Sequence, residues 1–184
     1  LRLINMAGKK NIILGVTAGA AIYKACEIIR RLKESGFNVI PVLTEEAAGL
    51  INPLLFSTLS GNKAYYKLFD CGENWEVEHI SLADKADIIL VAPATANLLG
   101  KIASGICDDL LSCVITASKA PVFFCPAMNE NMYLNRITQR NIAKLKECGY
   151  KFIGPKKGML ACGKKGMGCL EDVEAIVEKV RGCF

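Results

Sequence analysis

The residues of this chain that could do chemistry are the amide of Asn129, the thiol of Cys162, the imidazole of His79 and a set of small hydroxylic turns. Asn129 follows an apolar run of strand type, Val122–Cys125, which breaks at Pro126 and resumes as a helical pattern from about Asn131. In an open α/β sheet, ligands bind at the turn leaving a strand's carboxyl end, where strand ends and helix N-termini converge. An amide offers two N–H donors and one acceptor oxygen in a fixed plane, which suits a carboxylate or another amide. The same residue type also caps the helix that follows, and local pattern leaves both readings open. Cys162 lies in Leu160-Ala161-Cys162-Gly163, outside any core pattern, within a segment 154–168 of five glycines, a proline and four lysines. A thiol placed there is a better candidate for reaction than one packed in a strand. His79, the only histidine, stands among Glu76, Glu78 and Ser81. It reads as a surface residue or as a proton carrier titrating near neutrality.

Three turns follow apolar runs: Thr17-Ala18-Gly19-Ala20, Thr44, and Pro93-Ala94-Thr95-Ala96-Asn97. Gathered on one sheet edge, they would offer backbone N–H groups and hydroxyls to a phosphate, with small side chains allowing close approach. Helix caps use the same residues. The dinucleotide fingerprint G-x-G-x-x-G and the P-loop are both absent, so a mononucleotide with one phosphate fits better than a dinucleotide or a triphosphate. Lysines 156, 157, 164 and 165 either solubilise their segment or meet an anionic substrate as that segment closes over it.

Strand and helix patterns alternate, which predicts a parallel sheet covered on both faces. Strands are expected at Asn11–Val16, Asn38–Leu43, Ile88–Ala92, Val122–Cys125 and Lys151–Ile153. The first helix carries Ile22, Ala25, Cys26, Ile29 and Leu32 at helical spacing and stops at Ser35-Gly36. Thr44-Glu45-Glu46 reads as a cap, and Asn52-Pro53 opens a helix to Ser60-Gly61. Residues Asn62–Trp75 read as loop and Val77–Lys85 as helix. Further helices are expected after Asn97, from Asp108-Asp109 to about Ala117, over Asn131–Cys148 closed by Gly149, and over Glu171–Val180 with Val173, Ile176, Val177 and Val180 on one stripe. Segment 154–168 reads as a mobile loop.

The expected fold is therefore α/β, a three-layer, Rossmann-like (flavodoxin-like) open parallel sheet forming one domain over residues 1–184. At 184 residues, 52% apolar and 22% charged, the chain suits a single core. A net charge of +5 without an Arg-rich face argues against nucleic acid, and no apolar run is long enough for a bilayer. The first ten residues are too short and polar for a secretion signal. Nine cysteines, an odd number with no C-x-x-C pair, argue against zinc and against a disulfide framework. Reduced thiols in a cytoplasmic protein are expected, most of them small core residues.

Taken together, the chain from roughly Lys9 to Val180 resembles the homo-oligomeric flavin-containing cysteine decarboxylases. Within them it is most similar to the branch acting on 4'-phospho-N-pantothenoylcysteine in coenzyme A synthesis. Pro126-Ala127-Met128-Asn129-Glu130-Asn131-Met132-Tyr133 matches the family's P-x-M-N-x-x-M-[WY] motif. His79 falls where the family's active-site histidine does, ahead of Ala86-Asp87 and Ala92–Asn97, and Leu160–Gly163 resembles the substrate-covering flap with its catalytic cysteine. Thr17–Ala20 resembles the first FMN loop. There are two departures: Ala18 replaces a more usual glycine, and Cys169 follows Gly168 where an Arg often stands.

The resemblance implies FMN held by Thr17, Ala18, Gly19, Ala20, Thr44, Thr95, Ala96, Asn97 and Ala127. It implies catalysis by His79, Asn129 and Cys162, and substrate contacts from Asn129, Met132, Ala161 and Lys164, without a metal. A cysteine carboxylate cannot lose CO2 directly, because the carbanion has nowhere to delocalise. Thiol oxidation to a thioaldehyde supplies an electron sink; CO2 then leaves, and the resulting enethiolate is reduced to the amine thiol, 4'-phosphopantetheine. The implied partners are a phosphorylated small molecule, further copies in a trimer or a dodecamer of trimers with the site between subunits, and a fused or separate phosphopantothenoylcysteine synthetase. Two alternatives share the resemblance: a peptidyl-cysteine decarboxylase, and a non-catalytic flavin-binding regulatory subunit. Flavin prenyltransferases share the expected sheet but lack the P-x-M-N motif.

Overall fold

The computed structural model describes residues 8–69 and 78–184. Five parallel strands form one sheet in the order β2-β1-β3-β4-β5: β1 (Asn11–Val16), β2 (Asn38–Leu43), β3 (Ile88–Ala94), β4 (Val122–Pro126) and β5 (Lys151–Phe152). Strands buried on both faces must be apolar throughout, and β3 is buried at every position. Ile12, Leu14 and Val16 of β1 face a layer that includes α1 (Lys24–Glu34) and α9 (Val173–Arg181). Ile13 faces the other layer, with α5 (Ala96–Ser104), α6 (Leu110–Ala117) and α8 (Arg136–Glu147). The expected three-layer, flavodoxin-like architecture is therefore observed.

Several boundaries differ from expectation, each for a physical reason. The helix after β1 begins as a 3-10 turn, Ala20–Tyr23, before α1. β3 runs past Ala92 to Ala94: Pro93 has no N–H to give, the register shifts between Val91 and Ala94, and pairing resumes at Ala94 with Pro126. Tyr65, within the stretch read as loop, bridges to Val42, its N–H donating to Pro41 O at 3.0 Å. Part of that stretch, 70–75, and Val77 lie outside the described residues; α4 is described as Glu78–Lys85. The single helix expected over Asn131–Cys148 is two, α7 (Glu130–Leu134) and α8, because Asn135 takes an extended ψ of 133° and its side chain accepts from Ile137 N. Of the cysteines described, only Cys125 is buried, which corrects the expectation that most are core residues.

The largest difference falls on 154–168. Instead of a loop, this region forms an antiparallel hairpin of β6 (Lys156–Met159) and β7 (Lys165–Cys169). Two of its glycines are there for close approach. A Cβ at Gly168, whose φ is +125°, would stand 2.1 Å from Met128 O, and one at Gly166 would stand 2.6 Å from the Glu130 carboxylate.

Between β3 and β4, α5 and α6 are coupled by charge. The ammonium of Lys101 pairs with Asp108 and Asp109 at 2.7 and 2.9 Å. Asp109 also caps α6, its side chain accepting from Ser112 N in a capping box. Burial pushes the Asp109 carboxyl up, but Lys101 and the Ser112 hydrogen bonds outweigh it and hold the carboxyl below its usual value. A depressed carboxyl contributes stability that is full above the unfolded value, about 4, and is lost as pH falls below it. Asp109→Ala is expected to cost about 0.5–2 kcal/mol in urea denaturation at pH 7. Asp109→Asn keeps a cap, loses the charge, and should flatten the loss of stability below pH of about 4.

Candidate active site

The carboxyl ends of β1, β3 and β4 lie side by side, and short polar ties hold their turns together. Thr17 Oγ1 donates to Pro93 O at 2.8 Å and accepts from Thr95 N at 3.1 Å, so one buried hydroxyl joins the turns after β1 and β3. Ala127 N donates to Ala94 O at 3.1 Å, joining the turns after β3 and β4. In this strand order, β1 and β3 flank the point where chain direction across the sheet reverses, the usual crevice for a ligand.

Above these ties lies a cavity of about 570 Å³, within the range of about 300–1,000 Å³ usual for small-molecule sites. One wall is Ala18–Ala21 with Tyr23 and Lys24; Thr95 and Ala96 form the second; Ala127, Met128, Asn129 and Met132 form the third. The hairpin covers it with Met159, Leu160, Ala161 and Cys162 at its turn and Gly168, Cys169 and Leu170 at its return. A second cavity, about 540 Å³, opens by Phe123, Lys151 and α9, away from the strands' carboxyl ends and from every chemically promising residue.

Asn129 is a helix cap whose remaining amide end faces the hairpin. Its Oδ1 accepts from Asn131 N at 2.9 Å, capping α7. A backbone N–H can only donate, so the cap fixes which end of the amide faces which way, and Nδ2 is turned toward the hairpin. There it donates to Cys162 Sγ at 3.8 Å. The site therefore presents a donor, which suits a carboxylate better than another donor group.

Cys162 is set at a tight turn: Gly163 N donates to Leu160 O at 2.9 Å, and Leu160 N to Lys164 O at 2.8 Å. Gly163 has a φ of +79°, which favours glycine. The hairpin is docked through β7. Met128 N donates to Gly168 O at 2.9 Å, and Met167 N donates to a Glu130 carboxylate oxygen at 2.8 Å. One backbone–backbone bond, one backbone–carboxylate bond and two glycine contacts thus hold the thiol-bearing hairpin against the turn carrying Asn129. The thiols are not equivalent: burial, with a smaller effect from Glu171, pushes Cys125 far up, so it stays protonated, whereas Cys162 is exposed.

The structure brings together Ala18, Gly19, Ala20, Thr95, Ala96, Ala127, Asn129, Met132, Ala161 and Cys162. Other expected residues lie outside the lining. Thr17 serves as the tie beneath the cavity, Thr44 is buried and caps α2 (Glu45–Leu50), and Asn97 is exposed in the first turn of α5. Lys164 lies just past the hairpin turn, and His79, half-buried in the first turn of α4, is not among the lining residues of this single chain. Tyr23, Lys24, Met128, Met159, Leu170 and Cys169 line the cavity without having been singled out as ligands by the sequence. Met128 was legible in the motif, whereas Lys24 was not singled out.

Over residues 2–184 the chain matches the flavoprotein family. It belongs to that family. The flavoprotein is 42% identical over 173 residues to a probable phosphopantothenoylcysteine decarboxylase of Streptococcus mutans, covering 93% of this chain and 97% of that one. It is 44% identical over 173 residues to the coenzyme A biosynthesis bifunctional protein CoaBC of Bacillus subtilis, covering 94% of this chain and 43% of the relative. The chain thus spans less than half the length of such bifunctional relatives. Among solved structures, the flavoprotein superposes with a TM-score of 0.86 on a mutant PPC decarboxylase complexed with pantothenoylaminoethenethiol, at 31% identity, covering 96% and 98% of the two chains. It superposes on the FMN binding protein AtHal3 with a TM-score of 0.83 at 32% identity, covering 96% and 97%.

Glu130→Ala removes the acceptor for Met167 N, and Gly168→Ala places a methyl group against Met128 O. In both variants the amide of Met167 should exchange with solvent at least about tenfold faster, by hydrogen-exchange NMR, while core amides of β3 keep their protection. Unchanged exchange at Met167 would show that these contacts do not hold the hairpin.

Proposed function

We propose that this flavoprotein is an FMN-dependent decarboxylase that converts 4'-phospho-N-pantothenoylcysteine to 4'-phosphopantetheine. One observation carries the reading: an amide donor fixed by its own helix cap faces a thiol at 3.8 Å across a cradle of small residues at the β1/β3 crevice. The relatives' names support the substrate, and the retention of His79, Asn129 and Cys162 together favours an enzyme over a regulatory subunit.

The residues present fit a flavin mononucleotide. Ala18, Gly19, Ala20 and Ala96 leave backbone open to a phosphate, and a Cβ added at Gly19 would still stand 3.6 Å from the nearest atom, Thr95 Cγ2. Ala127, Met128 and Leu160 offer apolar surface to a flat ring. FMN bound there would supply reversible hydride transfer with the substrate's thiol-bearing carbon.

The chain's own residues account for the rest. Asn129 Nδ2 donates to the carboxylate of the substrate's cysteine, aligning the C–C bond that breaks. With CO2 gone, the Cys162 thiol protonates the adjacent carbon from the hairpin side. The docked hairpin holds the thiol over the cavity, so the enethiolate is completed before it is released. His79 manages the proton of the oxidation half from a second copy of the chain, since its own α4 lies away from the cavity lining. Met132, which is 49% exposed beside Asn129, packs on the substrate or on that second copy. Residues 154–170 act as a substrate flap, with Ala161 and Lys164 near its turn.

Mass spectrometry of the products is the test, with the phosphorylated substrate and a cysteine-terminated peptide supplied separately. Wild type should release CO2 only from the phosphorylated substrate; turnover of the peptide alone would replace this reading with its peptidyl counterpart. Cys162→Ser should accumulate the unreduced enethiol, with formation of amine thiol down at least about 100-fold. His79→Asn and Asn129→Asp should each abolish both products. Normal amine-thiol formation by Cys162→Ser would remove that thiol from the reaction.

A further inference from the structure

The cavity wall is apolar or neutral with one exception: among its lining residues, Lys24 alone carries a charge. Lys24 is the first residue of α1, placed just beyond the 3-10 turn Ala20–Tyr23 that continues the cradle. It is half-buried, and its ammonium has no hydrogen bond or ion pair with any described residue. The acid whose titration it influences is Asp172, at the start of α9, which already pairs with Lys156. Lys156, Lys157, Lys164 and Lys165 of the hairpin lie outside the lining, so the cation that lines the cavity comes from α1 rather than from the flap.

A cation lining a cavity of otherwise neutral walls, without an anion paired to it, gains from an anion that enters that cavity. A phosphate monoester is well matched: nearly two negative charges at pH 7 and three acceptor oxygens, against a compact point charge with three donors. We propose that Lys24 binds the phosphate monoester of the ligand held here, either that of the flavin or that of the acyl-cysteine substrate. The inference deepens the proposed function, on which it rests for the identity of its ligands. It assigns to α1 the recognition that the lysine-rich sequence of the flap suggested for itself.

Calorimetric titration separates the two sources. Apoprotein is titrated with FMN and with riboflavin, and flavin-loaded protein with 4'-phosphopantetheine and with pantetheine. Wild type is compared with Lys24→Gln, Lys24→Ala and Lys24→Arg. Removing the charge should weaken at least one phosphorylated ligand about tenfold or more, leave its phosphate-free counterpart within about twofold, and be largely rescued by Arg. Loss confined to FMN assigns the cofactor's phosphate, and loss confined to phosphopantetheine assigns the substrate's; either result upholds the proposal. Equal weakening of phosphorylated and phosphate-free ligands, or no weakening of either, overturns it. A wild type without preference for either phosphorylated ligand overturns it as well. Turnover of phosphopantothenoylcysteine by the wild type is measured alongside. Its absence with the charge dependence intact would sink the reaction but leave Lys24's role, whereas turnover without charge dependence would sink Lys24's role alone.

Discussion

The hydrogen bond from Asn131 N to Asn129 Oδ1 is the constraint on which the site depends. An amide free to flip would present its two ends in turn, and a carboxylate would meet an acceptor as often as a donor. Here the first turn of α7 consumes the acceptor, and the donor end is left facing Cys162. The cap thus fixes the orientation of the amide, and helix formation polarises the site before anything binds. That is electrostatic preorganisation at the scale of a single side chain.

Around this residue the fold supplies position rather than chemistry. The Thr17 hydroxyl satisfies Pro93 O and Thr95 N in one place, so the first and third turns cannot separate without stranding buried polar atoms. The β4 turn is joined to β3 through Ala127 N and to the hairpin through Met128 N. The crevice, the amide and the thiol are therefore joined by a chain of hydrogen bonds, part backbone and part side chain. The turn residues Ala18–Ala20, Ala96 and Ala127 are small, which leaves backbone open within the crevice.

The alternation of strands and helices was legible because each parallel strand is a short apolar run and each helix carries one apolar stripe. Caps such as Asn52-Pro53 and Asp109 marked helix starts correctly, since their side chains act within two or three residues. Asn129 was legible as either cap or ligand contact; the structure shows the cap, with Nδ2 left facing the hairpin. The hairpin was not legible: Gly166 and Gly168 read as flexibility, whereas each is small because Glu130 and Met128, far earlier in the chain, press against it. Asn135 was missed as a second cap because the apolar pattern continues across it. The extension of β3 through Pro93 was missed because a proline argues locally against a central strand. The place of Cys162 in the site came from the family resemblance; composition alone marked only an exposed thiol. Lys24 carried no signal, because a lysine at a helix start is ordinary until the walls around it are known to be neutral.

The most direct test is a crystal structure of the Cys162→Ser variant with flavin and phosphorylated substrate bound. A substrate carboxylate oxygen is expected within hydrogen-bond distance of Asn129 Nδ2 while Oδ1 still accepts from Asn131 N, with the residue 162 side chain over the adjacent carbon. A substrate whose carboxylate lies away from Asn129, or an amide turned so that its oxygen faces the ligand, would contradict it.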